Sequence, residues 1–188
     1  MRTAKLSIVF LLLLPFLANA QRNKQADPWH HSFNAYYQGG IGQSDEFLFG
    51  AALRYGLQYS LGEKTSLGLI TGIENYNINL GELIFPLLAT FAVENGEKKM
   101  RPYILLGAGY GFAAMYTNRP VLDTQGGFGA DVQLGYKIPI RGKTAFSTGL
   151  GFRFQQATYT SRDIFDNNDV VQRTYQYKRV YWNIGINF

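Results

Sequence analysis

The chain has 188 residues, with 18 Lys and Arg against 13 Asp and Glu, a formal net charge of +5 and no cysteine. This positive balance is too weak and too dispersed to indicate nucleic-acid binding. The lack of cysteine excludes disulfides, thiolate metal sites and lipid attachment at a processed N-terminal cysteine.

The first 20 residues have the features of a secretory signal peptide. Arg2 and Lys5 give a positive start, an apolar run follows, and Ala18-Asn19-Ala20 forms a small-x-small cleavage site. We therefore expect the mature chain to begin at Gln21. A retained membrane anchor is the alternative, but the run is short for a membrane span and contains Pro15.

Eight segments of the remaining chain have the composition and period of β-strands. Most are longer than the usual strand of a soluble protein, and several are long enough to cross a bilayer obliquely. The predicted strands are Ser32–Gly42, Phe47–Leu61, Thr65–Ile78, Leu83–Val93, Arg101–Tyr116, Phe128–Ile140, Thr144–Thr160 and Tyr175–Phe188. We expect a signal peptide over residues 1–20, an N-terminal periplasmic segment over residues 21–31 and a barrel over residues 32–188.

The connections between these strands alternate in length. Short glycine-containing turns follow the second, fourth and sixth strands, around Gly62-Glu63-Lys64, Glu94–Lys99 and Arg141-Gly142-Lys143. Longer links follow the third, fifth and seventh strands, around Asn75–Glu82, Thr117–Gln125 and Ser161–Thr174. Short turns on one side and long loops on the other are typical of an outer-membrane barrel with periplasmic turns.

The two faces of the predicted strands differ in chemistry. Odd positions of the first four strands and even positions of the last four, as far as Phe154 in the seventh strand and from Val180 in the eighth, carry apolar, aromatic or small side chains and no charge. The opposite face carries most of the glycines together with Asn34, Gln38, Arg54, Gln58, Glu74, Asp131, Gln133, Lys137, Arg153, Gln155 and Arg179. We assign the uncharged face to lipid and the polar face to a narrow lumen, because glycine there leaves room for long polar side chains. A soluble β-protein would have the reverse polarity.

The closing strand and the fourth strand differ from the others in their pattern. From Val180 to Phe188 apolar residues alternate with polar or small ones, and the strand ends on an aromatic, as expected for the closing strand of a transmembrane barrel. The Leu83–Val93 strand is apolar on both faces and contains Pro86, which cannot donate a ladder hydrogen bond. We expect a bulge or a locally broken ladder there.

The chain resembles the small Gram-negative outer-membrane β-barrel proteins of the OmpA/OmpX type, often catalogued as "porin family" proteins. The resemblance rests on the run from Arg101 to Gly111, on the segment Ile84-Phe85-Pro86-Leu87-Leu88, and on the closing strand. That strand has Asn183 where such barrels often have glycine. The resemblance implies an all-β, eight-stranded, antiparallel, up-and-down barrel in the outer membrane, and it implies no particular activity.

Several residues could carry chemistry, and each also has a structural interpretation. Gly107-Ala108-Gly109-Tyr110-Gly111 lacks the spacing and the helix of a phosphate loop, so lumen-facing glycines are favoured. Adjacent histidines at His30 and His31 make only a weak metal site. The link Ser161–Thr174 contains acids and Asn but lacks the full calcium-loop pattern.

The charged residues of the polar face could act as a paired-carboxylate hydrolase, or as a salt-bridged plug that fills the lumen. We favour the plug, because charges in a narrow lumen must be paired or hydrated. Interfacial girdles are predicted for the aromatic residues Tyr37, Tyr59, Tyr116, Tyr136, Trp182 and Phe188.

These features favour an integral outer-membrane protein with a structural or surface-binding role exerted through its external loops. We predict no catalytic, cofactor-binding or metal-binding residues. The expected partners are outer-membrane lipids, the barrel-assembly machinery through the closing strand, and an extracellular ligand at the loops. The alternatives are a narrow pore, a soluble periplasmic barrel that carries a lipophilic ligand, and a lipid-modifying enzyme, although no histidine lies on the loop side to serve as its base.

Overall fold

The computed structural model describes residues 28–41, 47–78, 81–95, 100–115, 121–141, 144–162 and 170–188. These residues form β1 Trp29–Ile41, β2 Phe47–Ser60, β3 Thr65–Asn77, β4 Glu82–Glu94, β5 Arg101–Met115, β6 Val121–Gln125, β7 Gly127–Arg141, β8 Thr144–Arg162 and β9 Val170–Asn187. In this part of the chain, no helix is long and apolar enough to cross a membrane.

The strands close into one antiparallel barrel. Sequential strands pair along the wall, and β1 pairs with β9 to complete the ring. The strands β6 and β7 are two parts of one wall strand, because both pair with β8, through Gln125 opposite Thr158 and Gly129 opposite Gln155. The wall therefore has eight strands, which confirms the predicted all-β, up-and-down barrel.

Both ends of the described chain lie at the same end of the barrel. His31 and Phe188 exchange two backbone hydrogen bonds of 2.8 and 2.9 Å, and Ser60 N–H donates to Pro28 O at 2.8 Å. The turn over residues 61–64 lies at this end too, where Leu61 N–H donates to Thr65 O at 2.9 Å. We call this the turn end. The opposite end, where β8 ends at Arg162 and β9 begins at Val170, is called the loop end.

The predicted division into faces is confirmed. The apolar rows face outward, and among them Leu53, Leu134, Leu150 and Val180 are each at least 57% exposed. On the opposite face, Arg54, Glu74, Asp131, Arg153 and Arg179 are each at most 2% exposed. Among the members of the assigned outward set that the structure describes, only Leu61 departs: it is buried because it lies in the turn after β2 and not in the strand.

The ladder between β3 and β4 is interrupted at Pro86, as expected. Thr71 lies opposite Leu87 and Glu74 opposite Ile84, and within these described strands the residues between them are not paired. The register is the same on both sides of the gap, so the interruption is a broken ladder and not a bulge. The register shift of this strand pair lies farther along, between Asn75 and Asn77.

Two strands extend beyond the predicted bounds at the loop end. The expectation that Thr117–Gln125 is a loop is wrong in part, because Val121–Gln125 forms β6 on the edge of β8. Similarly, β9 begins at Val170 and not at Tyr175. Neither extension has an apolar face that would indicate a strand in the sequence. The exposed side chains there include Asp123, Gln125, Gln172 and Gln176.

The outward face of the β8–β9 pair changes from apolar to polar between Val180 and Gln176 of β9. Phe152 lies opposite Val180, whereas Gln156 lies opposite Gln176 in the extension above. From Val180 to Phe188 the apolar row spans about 27 Å of strand at roughly 3.4 Å per residue. A tilt of about 40° reduces this to about 20 Å of height, close to the band of about 25 Å on transmembrane barrels.

Candidate functional site

The interior of the barrel has an ion-pair network at its centre, and apolar side chains such as Ile70, Ile84 and Leu88 are also buried there. Arg54 of β2 contacts Glu74 of the neighbouring β3, with 2.7 Å between Nε and Oε1. The same guanidinium forms an ion pair through Nη1 with Asp131 of β7. Arg153 of β8 approaches Glu74 from the other side, with 3.4 Å between Nε and Oε2. All four side chains are at most 1% exposed, so the two cations and two anions offset one another inside the wall.

Tyrosines complete the coordination of this network. Tyr76 donates a hydrogen bond to Glu74, and Tyr181 donates to Asp131 at 2.5 Å. The ring of Tyr36 lies 4.1 Å from the guanidinium carbon of Arg54, a cation–π distance. These rings occupy the space beside the ions and exclude water, which strengthens each ion pair.

The remaining cations of the predicted plug lie outside this central network. Arg179 is held by backbone carbonyls: Nη1 donates to Gly40 O at 2.6 Å and to Leu48 O at 3.1 Å, and Nη2 donates to Tyr76 O at 3.0 Å. Lys137 forms an ion pair with Glu94 nearer the turn end. The plug interpretation is therefore confirmed, with Arg179 and Lys137 forming separate layers on either side of the centre.

A polar vestibule opens at the turn end below the plug. Its volume is about 170 Å³, and its walls include His30, Ser60, Lys64, Arg101 and Lys137. Above it, a void of about 20 Å³ lies among residues that include Gln58, Tyr103 and Gln133. Such a void holds about one water molecule. Gln133 donates to Tyr103 beside this void, and Tyr181 with Asp131 lies directly beyond.

The two adjacent histidines point to different neighbours. His30 Nε2 lies 2.8 Å from Ser60 Oγ, and His31 Nδ1 lies 2.6 Å from Tyr55 OH. The His31 ring also stacks on Phe188, with 5.6 Å between centroids. The two rings therefore do not share a metal site, and the described residues contain no group of three or more metal-ligating His, Cys, Asp or Glu side chains.

The glycine run of β5 and most of the predicted girdle aromatics lie within the described residues. Gly107, Gly109 and Gly111 lie on the lumen face of β5, which confirms the structural interpretation of this run, and Gly111 faces the side-chain amide of Gln155. The acidic part of the link Ser161–Thr174 and the girdle residue Tyr116 lie outside the described residues. The other five predicted girdle aromatics face outward, and Tyr37, Tyr136, Trp182 and Phe188 are strongly exposed.

Sequence reasoning missed some lumen residues. Tyr36, Tyr76 and Tyr181 belong to the network, and Tyr177 donates a 2.9 Å hydrogen bond to Glu82 in a second layer at the loop end. Each occupies a lumen-facing position in the strand alternation. The parity of the alternation is therefore the sequence signal for these residues, although the side chains predicted to face the lumen included no tyrosine.

An eight-stranded antiparallel barrel with an uncharged apolar outer belt and an ionic interior is the architecture of the small outer-membrane barrels. The comparisons with solved structures give the same fold. The chain is similar to Neisserial surface protein A, with a TM-score of 0.63 and 11% identity over 86% of this chain and 96% of that chain. It is also similar to the outer membrane protein OprG from Pseudomonas aeruginosa, with a TM-score of 0.58 and 11% identity over 86% of this chain and 96% of that chain. No protein-family model and no curated protein sequence matches the chain. At 11% identity these similarities define the fold and not the activity.

Proposed function

We propose that the protein is an integral outer-membrane barrel with a structural or surface-binding role exerted at its loop end, and that it carries out no catalysis. It reaches that membrane by export through a signal peptide cleaved before Gln21. The turn end, with the turn at residues 61–64, faces the periplasm, and the loop end faces outward.

The observation that carries this proposal is the direction of the apolar rows. Side chains such as Leu53, Leu134 and Leu150 point away from the barrel and are more than half exposed. In contrast, Arg54, Arg153 and Arg179 are enclosed. In water such a surface would be a large aggregation-prone patch. Hydrocarbon removes that penalty, and a closed barrel leaves no unsatisfied backbone edge in the bilayer.

The lumen does not favour a pore. The Arg54–Asp131 ion pair crosses it, and Glu74 with Arg153 fills the remaining section. An interior of this strand number is just wide enough for side chains to fill. Similarly, a carrier of lipophilic molecules needs a large apolar internal cavity. The vestibule is mostly polar, and the void above it, about 20 Å³, is too small for such a molecule.

The surface-binding role is supported by the extension at the loop end. Above the apolar belt, β8, β9 and β6 continue as a sheet with exposed polar side chains, including Gln172, Gln176 and Lys178. Such a sheet lies beyond the bilayer and presents hydrogen-bonding groups to the outside. A non-catalytic role also fits the buried carboxylates, because Glu74 and Asp131 are already engaged by arginine and tyrosine.

Fractionation and conductance measurements together test the proposal. We expect the mature protein to stay with outer membranes after carbonate washing and to show heat-modifiable migration on gels. In planar bilayers it should give no reproducible channel steps. Release by carbonate would contradict membrane integration, and steady unitary conductance would replace the structural role with a pore.

The absence of catalysis is tested by the mass of lipid A in cells from which the gene for this protein is deleted. An unaltered mass is the expected result for a non-catalytic protein, and a changed mass would indicate a lipid-modifying enzyme.

A further inference from the structure

One groove on the outer wall of the barrel has both a long apolar floor and a cationic end. A single row of outward side chains crosses four strand pairs, each residue directly opposite the next: Val93, Ile104, Leu134, Leu150 and Trp182. A groove of about 910 Å³ follows this row. At about 4.8 Å between strands, four steps give a length of roughly 19 Å, comparable to an extended acyl chain.

The end of this groove near the turn end is polar. Lys64 and Asn95 line it there, and both are exposed. Glu94 also lines it, but its carboxylate is engaged by Lys137, so its charge is offset locally. Within the described residues Lys64 forms no ion pair, and the neighbouring acid Glu63 lines the vestibule and not this groove.

At its other end the groove is closed by Trp182. The indole Nε1 donates a 2.9 Å hydrogen bond to Thr148 Oγ1, and Thr148 Oγ1 donates in turn to Asn183 O at 3.0 Å. The indole is thus held in a fixed orientation on the wall, with its N–H satisfied. A hydrocarbon chain can therefore pack against it without leaving a polar group unpaired.

A second outer groove, of about 600 Å³, provides the contrast. Its outward lining includes Phe33, Ala35, Leu53 and Phe85. Among the described residues that line it, only Arg54 is charged, and this side chain is turned into the lumen and 2% exposed. This groove suits hydrocarbon but provides no charge for a headgroup. The two grooves therefore differ in whether a cation lies at the level of the lipid headgroups.

We propose that the groove from Lys64 to Trp182 is a binding site for an anionic phospholipid of the periplasmic leaflet. The phosphate binds at the Lys64 ammonium, and one acyl chain lies along the row to Trp182. This proposal rests on the proposed function, because only a barrel in a bilayer meets such a lipid. Electrostatic attraction to one lysine near a membrane surface predicts a preference of about fivefold over a zwitterionic lipid.

Quenching of tryptophan fluorescence by brominated lipids tests this site. The chain has two tryptophans, so Trp29→Phe leaves Trp182 as the reporter. The protein is reconstituted in phosphatidylcholine vesicles that contain the same minor fraction of either brominated phosphatidylglycerol or brominated phosphatidylcholine. We expect the relative binding constant from quenching to favour phosphatidylglycerol about fivefold, and Lys64→Glu to remove the preference.

Two matched controls separate the site from general attraction. Lys178→Glu reverses an exposed charge at the loop end and should leave the preference unchanged. A reporter in the uncharged groove, Phe85→Trp with both native tryptophans replaced by Phe, should be quenched equally by the two lipids. Equal quenching of Trp182 by both lipids in properly inserted protein would overturn the lipid site alone. Failure to insert, reported by the absence of heat-modifiable migration, would overturn the proposed function and the site together.

Discussion

Arg54 of β2 and Asp131 of β7 form an ion pair across the barrel, although β3, β4 and β5 lie between their strands along the wall. The contact therefore connects opposite sides of the lumen. Because Arg54 also pairs with Glu74 of β3, one guanidinium joins three strands at the centre of the molecule. Closure of the barrel brings these groups together, and they in turn fill the space that closure creates.

Removing the central carboxylate should destabilise the barrel strongly. Glu74 lies 2.7 Å from Arg54 Nε and 3.4 Å from Arg153 Nε. Glu74→Gln removes the negative charge that both arginines contact, and leaves their positive charges buried. Breaking a buried ion pair in this way costs about 3–5 kcal/mol. Urea unfolding in lipid vesicles, followed by gel migration, measures the change.

The control for this variant is Glu94→Gln, which breaks the ion pair with Lys137. Those side chains are 26% and 15% exposed, so solvent weakens the interaction and the cost should be at most about 1 kcal/mol. Equal losses for the two variants would argue against a buried ionic centre.

A charge on the outer belt should be costly, and the same charge above the belt should not. Leu134 is 57% exposed on β7 and lies between Ile104 and Leu150 in the lipid-facing row. Leu134→Arg should cost about 2–4 kcal/mol if the residue lies near the bilayer midplane. Gln176→Arg, on the exposed outward face of β9 beyond the belt, should change the free energy of unfolding by less than about 0.5 kcal/mol. A similar effect of both variants would contradict the position of the belt.

The wall of the barrel could be predicted from the sequence because lipid imposes a strict rule on it. Every outward side chain from the turn end up to the level of Val180 must be uncharged. The alternation of uncharged and polar side chains is therefore visible along each strand. The rule ends where the bilayer ends, which is why β6 was missed. The outer face of Val121–Gln125 is exposed to water and not to lipid. Its composition therefore does not distinguish a solvent-exposed strand from a loop.

The content of the lumen could be predicted, but the pairing within it could not. The inward parity of Arg54, Glu74 and Asp131 placed them in one narrow space, where unpaired charges are too costly to persist. Which cation meets which anion depends on the stagger of the strands around the ring. That stagger is a property of the closed barrel, so Arg179 was grouped with the carboxylates although it binds backbone carbonyls.

The glycines of β5 should differ in their tolerance of alanine. A Cβ at Gly109 would lie 2.9 Å from Leu88 Cα and closer still to the carbonyl oxygen of Leu87, and neither backbone atom can move without disturbing the ladder. A Cβ at Gly107 would lie 3.3 Å from side-chain carbons of Asp131 and Thr90, which can shift slightly. Gly109→Ala should therefore cost about 1–3 kcal/mol, as overpacking does, and Gly107→Ala clearly less. Unfolding midpoints of the two variants under identical conditions decide this, and a larger loss for Gly107→Ala would contradict the packing described for β5.

The ring of Phe188 should matter for closing the barrel. It stacks on His31 with 5.6 Å between centroids and on Phe33 with 6.2 Å, across the seam where β9 meets β1. Phe188→Ala removes both contacts and should lower the free energy of unfolding by about 1–2 kcal/mol, whereas Phe188→Tyr keeps the stacking and should cost much less.

The same ring also tests recognition by the assembly machinery. If the machinery recognises this strand, the alanine variant should assemble more slowly with purified machinery, by a larger factor than in lipid vesicles alone. The fraction of heat-modifiable protein over time measures both rates. An identical slowing in the two settings would assign the ring to seam stability only, because recognition by the machinery would then contribute nothing.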